Sequence, residues 1–186
     1  MQDPEQLIEQ TKESREIYKG ELLHVWKDRA ILPGGGESTR EWIKHPGACA
    51  VVPIFDNGDV MMIHQYRYPV RELCLEVPAG KIDAGEDIET TAKRELEEEA
   101  GVIAGELHYI GKFFPGVGYS NEVIHIFAGT DLTETDMNTD EDEFLIQERV
   151  PFEELIKRVD AGEINDGKTQ ICLLRTWRWW RERLNG

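Results

Sequence analysis

Three cysteines, Cys49, Cys74 and Cys172, are all that a chain of 186 residues carries, and they are widely spaced with no CxxC or Cys/His zinc pattern. That excludes a disulfide framework and a structural zinc site, and suits small apolar side chains buried in a reducing compartment. Long apolar runs are also missing. None approaches the roughly 20 residues needed to cross a bilayer, so no membrane partner is expected. The first residues, MQDPEQLIEQTKES, are acidic and polar instead of basic and then apolar. They do not read as a secretory signal, and a cytoplasmic location is the expectation. Positive charge is scarce: 21 Lys and Arg stand against 37 Asp and Glu, a net charge of -16. A nucleic-acid partner needs clustered Lys and Arg to neutralise phosphates, and this balance argues against one. An anionic substrate would need metal ions as a bridge. His24, His45, His64, His108 and His125 are scattered without ligand spacing, and no repeat of about 20–50 residues is visible.

What the chain does have is concentrated in GKIDAGEDIETTAKRELEEEAGV, from Gly80 to Val102. At about 3.6 residues per turn, Glu95, Glu98 and Glu99 fall at i, i+3 and i+4 and share one helical face. Like charges so placed repel by roughly 0.2–0.5 kcal/mol per pair, more where water is scarce, so a cation is expected among them. An oxygen-only set suits hard divalent ions, Mg²⁺ above all, which keeps places for water and phosphate oxygens. Asp87 fits an N-cap and Gly101 a left-handed C-terminal stop, for a helix reaching about Ala100. Ile88, Ala92 and Leu96 form its apolar stripe, which predicts that the carboxylate face points away from the core. Arg94, one turn before Glu98, is placed to hold a carboxylate or to make a surface ion pair.

The stretch resembles the Nudix signature at every specified position: Gly80, Glu86, Arg94, Glu95, Leu96, Glu98, Glu99, Gly101 and Val102. The resemblance implies an α/β Nudix fold, a mixed β-sheet sandwiched between helices (α/β/α). It implies metal ligation by Glu95, Glu98, Glu99 and the backbone carbonyl of Ala79, with Mg²⁺ or Mn²⁺ as the cofactor. The approach HQYRYPVRELCLEVPAGKID is similar to that of ADP-ribose and nucleoside-diphosphate-sugar diphosphatases. On that likeness Arg67, Arg71 and Glu76 become substrate contacts, and arginine's planar fork suits phosphate. Between the last strands, DLTETDMNTDEDEFLIQERV is acidic; it is either a solvated loop or, as in relatives of this branch, the source of a catalytic base, for which Glu141 and Glu143 are the candidates. Pro115 falls near the proline that marks ADP-ribose hydrolases, in a loop of different length, and GEINDGKT resembles a segment of enzymes that cleave GDP-mannose.

The expected reaction is hydrolysis of ADP-ribose or a related sugar nucleotide to a nucleoside monophosphate and a sugar phosphate. Glu98, Glu99, Arg94 and a loop glutamate would carry it. A GDP-mannose-preferring enzyme and a non-catalytic nucleotide-binding domain are the alternatives, although the latter kind of domain loses box glutamates and this chain keeps them. An isoprenoid-diphosphate isomerase would need a reactive cysteine and an altered box.

Length suits one main domain with a small appended element. Residues 1–45 are expected to be an N-terminal β segment and 46–186 the Nudix domain. The family resemblance implies a homodimer in which the N-terminal hairpin crosses to a partner. Within that segment the Trp26 ring can stack a nucleobase or pack a core or interface. Strands and turns are predicted over Glu16–Ile43, at Ala48–Phe55 and Val60–Gln65 around an Asn57-Gly58 hairpin turn, and at Glu106–Phe114 and Glu122–Ala128. Helices are predicted over Pro151–Ala161 and Thr169–Leu184, the latter packing its Trp177, Trp179 and Trp180.

Overall fold

The computed structural model describes residues 3–138 and 144–185, and the chain divides into two units, Met1–Pro46 with Gly116–Glu122 and Gly47–Pro115 with Val123–Gly186. The first unit is an antiparallel sheet of β1 (Gln10–Lys19), β2 (His24–Ile31) and β3 (Glu37–Lys44). Its first strand starts well before the predicted Glu16. All ten residues of β1 are exposed, so QTKESREIYK carries no apolar-polar alternation by which a strand could be recognised. PGGGES makes the turn into β3, with Gly35 at φ 83°. The 116–122 segment returns to β3, where Ile43 N donates to Tyr119 O at 2.7 Å.

In the second unit, β4 (Ala48–Pro53) is central. It pairs in parallel with β9 (Ile124–Glu134) and antiparallel with β7 (Ala79–Lys81), while β8 (Val102–Phe113) closes the mixed four-stranded sheet beside β9. A second, antiparallel sheet runs β10 (Leu145–Pro151), β5 (Asp59–Arg67), β6 (Glu72–Glu76). All of β4 is buried, and its alternate residues serve two cores. Ala48, Ala50 and Val52 pack with Phe152, Leu155, Cys172 and Leu173, from α2 (Phe152–Asp160) and α3 (Gly167–Asn185). Cys49 and Val51 pack with Ala92, Leu96 and Ala100 of α1 (Ile88–Ala100). A strand buried on both faces reads as a continuous apolar run, and helices on either side give the expected α/β/α layering.

Two expectations need correction. Gly58 does turn the chain, at φ 84°, with Phe55 N donating to Asp59 O across it, but β4 and β5 join different sheets and their pairing stops at the Ile54–Val60 bridge. A hairpin signal reports the turn and not which sheet the outgoing strand joins. The acidic stretch is also not all loop. Its first residues extend β9 to Glu134 and its end forms β10, where Ile146 opposes His64 and Val150 opposes Val60. Charged residues on the solvent side of an edge strand concealed that strand in the sequence.

Candidate active site

The helix α1 begins where Asp87 accepts from Glu89 N at 3.0 Å and Thr90 N at 2.9 Å, satisfying two otherwise unpaired donors. It ends at Gly101, φ 56°, whose N–H bonds back to Glu97 O. Both caps match the sequence expectation. The orientation of the acidic face does not. Glu95 is 7% exposed and Glu99 3%, so this face does not point away from the core; it presses on the strand end at β7. Apolar residues alone do not mark the packed side of this helix. Two local features let carboxylates pack there. Gly80 has no side chain where a Cβ would overlap the Glu95 carboxylate, and Ala79 N donates to Glu99 Oε2 at 2.7 Å. The first glycine of the motif is thus a matter of space and not of backbone strain.

Arg94 is the cation within this acidic face. Its Nη1 donates to Glu95 Oε1 at 2.7 Å and to Glu98 Oε2 at 3.0 Å, and its Nε and Nη2 grip Glu86 at 3.0 and 3.1 Å. Nη2 also reaches the carbonyl of Lys81. One planar fork therefore sets three carboxylates. The Arg94 bonds, with the Thr91 hydroxyl, bring the Glu86 carboxyl down to about 2, and Glu86 in turn raises Arg94 further above its usual range. Among the described residues, no three His, Cys, Asp or Glu side chains converge as a ready metal cage. The donors on this face are nevertheless all oxygen, two of the carboxylates are buried, and residue 79 bonds one of them. That is the chemistry a hard divalent cation selects.

A second cluster adjoins the first. Glu76, only 1% exposed, accepts from Arg67 Nε and Nη2 at 2.7 Å each and from Lys168 Nζ at 2.6 Å. Lys168 lies 3.0 Å from Asp166, which accepts from the Thr169 hydroxyl and amide, and Thr169 Oγ1 accepts from Val77 N. Burial alone would raise the Glu76 carboxyl, but Arg67 and Lys168 hold it below the usual carboxylate range. Burial would likewise lower the Lys168 amine, and the charges of Glu76 and Asp166 raise it instead. The charge of Glu99 reaches Arg67 as well, linking the two clusters. Sequence reasoning assigned no role to Lys168, Asp166 or Glu86 beyond the motif match. The GEINDGKT segment was the available signal for the first two.

The other predicted residues are placed differently. Arg71 is not brought to the carboxylates; it sits exposed at the β5–β6 turn, φ 61°, with its guanidinium 3.5 Å from the centre of the Tyr68 ring. Trp26 belongs to the N-terminal unit, where it stacks on Trp42 with centroids 6.0 Å apart. Its buried Nε1 has no hydrogen-bond partner among the described residues. Glu141 and Glu143 lie outside the described residues. Burial first, then the nearby charges of Glu95 and Glu86, pushes the Cys49 thiol up to about 12, and burial pushes Cys172 up to about 12. Burial also pushes the half-buried Cys74 thiol up, so none of the three cysteines is an activated nucleophile of the kind the isomerase alternative requires.

Known proteins resemble this chain in sequence and fold. The NUDIX domain model covers residues 44–175. An ADP-ribose pyrophosphatase of Bacillus subtilis (strain 168) is 38% identical over 90% of this chain and 91% of its own. A methanol dehydrogenase activator of Bacillus methanolicus is 35% identical over 89% and 90%. Among solved structures, an ADP compounds hydrolase superposes with a TM-score of 0.85 at 23% identity, covering 94% of this chain and 95% of that one, which supports the shared fold.

Proposed function

The chain belongs to the NUDIX family, and from that premise we propose that it hydrolyses the diphosphate of ADP-ribose or a related nucleoside diphosphate sugar, releasing a nucleoside monophosphate and a sugar phosphate. The observation that carries this reading is the acidic face of α1, intact in sequence and packed against Ala79 and Gly80, with Arg94 holding Glu86, Glu95 and Glu98. The similarity to an ADP-ribose pyrophosphatase over nine-tenths of both chains supports the substrate class.

Glu95, Glu98, Glu99 and the Ala79 carbonyl would hold the divalent ions, Mg²⁺ first and Mn²⁺ as a substitute. When bound, such ions acidify an attacking water and offset charge that builds on phosphoryl oxygens. Arg94 holds the Glu95 and Glu98 carboxylates in one orientation, so little reorganisation is needed when substrate arrives. Arg67, fixed by Glu76, offers its outer edge to the diphosphate or terminal ribose. Arg71, exposed on the same hairpin, is a second such contact. Glu141 and Glu143, in the acidic connection before β10, are proposed to supply the base that takes the proton of the water. Residues 1–45 are proposed to mediate a homodimer, in which Trp26 stacks the base of the bound nucleotide. The setting is proposed to be cytoplasmic. No helix among the described residues is long and apolar enough to cross a membrane.

A panel of ADP-ribose, GDP-mannose, ADP-glucose, dinucleoside polyphosphates and nucleoside triphosphates with Mg²⁺, ranked by kcat/KM, tests the class. ADP-ribose or another sugar nucleotide should lead, and a triphosphate in first place would refute the reading. Glu98→Gln should lower kcat by orders of magnitude while leaving the melting temperature near that of the parent, since a metal position is lost and repulsion relieved. Full Mg²⁺-dependent turnover in that variant would overturn the metal assignment.

A further inference from the structure

Lys168 stands in the first turn of α3 with 14% of its side chain exposed, and it joins two carboxylates. Four charges thereby alternate along one path: Arg67, Glu76, Lys168, Asp166. Each neighbouring pair is within 3.0 Å, and together they sum to zero. Glu76 Oε2 is shared between Arg67 Nη2 and Lys168 Nζ. Arg67 spends Nε and Nη2 on Glu76, while its Nη1 makes no hydrogen bond among the described residues and 41% of its side chain is exposed.

A guanidinium facing a buried carboxylate is partly neutralised by it, so its attraction for an incoming phosphate depends on the net charge of the groups around that carboxylate. Lys168 adds positive charge there by drawing on the same carboxylate oxygen from the other side. Asp166 in turn limits how much positive charge Lys168 adds. Because Glu76 and Lys168 are shielded from water, removing a charge beside them alters the field at the next group more than on a solvated surface. Their scaffold is short and hydrogen-bonded. Asp166 also caps α3 through Thr169 N, and Thr169 Oγ1 fastens that turn to Val77, next to Glu76.

We propose that Lys168 and Asp166 are positioning residues that set the affinity of Arg67 for anionic substrate by acting on it through Glu76. Lys168 strengthens that affinity and Asp166 restrains it. The inference rests on the reading that Arg67 contacts the substrate's diphosphate or terminal ribose.

The test uses the purified full chain with Mg²⁺ and whichever sugar nucleotide of the panel has the highest kcat/KM. Lys168→Met leaves the path with one excess negative charge, and KM should rise about tenfold with kcat within about threefold, the signature of lost uniform binding. Asp166→Asn keeps an acceptor for the helix cap but leaves one excess positive charge, so KM should fall below the parent value. The double variant D166N/K168M is neutral again, and its KM should return to within about threefold of the parent. A scaffolding role alone would raise KM in both single variants and give no recovery in the double. A parental KM in Lys168→Met, a raised KM in Asp166→Asn, or a double variant as poor as Lys168→Met overturns the proposal. Should Lys168→Met fail to melt cooperatively, the Asp166→Asn and double-variant arms decide alone. Arg67→Gln separates the substrate contact from the charge path behind it. A parental KM there refutes the Arg67 contact itself, whereas a raised KM without the predicted order of the other variants refutes only the charge path.

Discussion

The acidic face of α1 depends on one absent atom and one guanidinium. A Cβ at residue 80 would occupy the space of the Glu95 carboxylate, and the backbone there is not in the left-handed region, so Gly80→Ala should fold with little loss of melting temperature. Its consequence should be chemical. A buried carboxylate pushed aside by an ångström costs about 10²-fold in kcat/KM, and a Gly80→Ala variant retaining parental kcat/KM would show that Glu95 need not sit over Gly80. Arg94 invites a complementary substitution. Lysine is a single point of charge and cannot hold Glu86 by one edge and Glu95 with Glu98 by another, as Arg94 does. Arg94→Lys should therefore lower kcat roughly 10–100-fold, in line with the loss of an orienting partner of the proposed metal ligands, and should raise the Mg²⁺ concentration needed for half-maximal rate. An unchanged Mg²⁺ dependence would confine Arg94 to an ordinary surface ion pair.

At the scale of elements, α1 shows what the sequence could and could not tell. Its two ends were readable because capping is local chemistry: Asp87 bonds residues two and three positions on, and a glycine such as Gly101 takes φ 56° without a Cβ penalty. A Cβ at Gly101 would also come within 2.8 Å of Gln147 Nε2 and 2.9 Å of Thr135 O. Gly101→Ala should thus lower the unfolding free energy by about 1–3 kcal/mol, measured as a shift of the urea midpoint at constant slope; an unshifted midpoint would mean that the helix end repacks freely. What the helix packs against was not readable, because the burial of Glu95 and Glu99 follows from the position of β7, set by its pairing with β4 and not by helical periodicity. Long-range polar contacts were hidden for the same reason. Lys168 and Glu76 are separated by 92 positions, and no local pattern distinguishes a lysine that bridges two carboxylates from one that dangles in water. The strand β1 illustrates the opposite failure, an element without a signal, since a strand exposed on both faces has no reason to alternate.

Over the whole molecule, two electrostatic effects of opposite sign govern the response to pH. The net charge of -16 at pH 7 repels itself, and that repulsion relaxes as acid brings the chain toward its pI near 4.7. Paired carboxylates act the other way. The Glu86 carboxyl, held at about 2 in the folded chain against 4.5 ordinarily, contributes stability that is fully present above pH 4.5 and is lost as pH falls from there toward 2. Glu76 and Asp166 have the same sign, because burial would raise each of them and their bonds to Arg67, Lys168 and Thr169 win, leaving both below their ordinary values. The melting temperature should accordingly rise modestly from pH 7 toward about 5 and then fall steeply below about pH 4.5. Added salt should flatten the first limb by screening the dispersed surface charge, and should affect the second less, since Glu76 is bonded out of reach of solvent ions. Glu86→Gln should lower the melting temperature at neutral pH and make the acid limb shallower, because a group that cannot titrate no longer adds to the slope. A melting temperature that climbs without a break to pH 3, or an acid limb identical in Glu86→Gln, would show that self-repulsion and not carboxylate pairing dominates the stability of this chain.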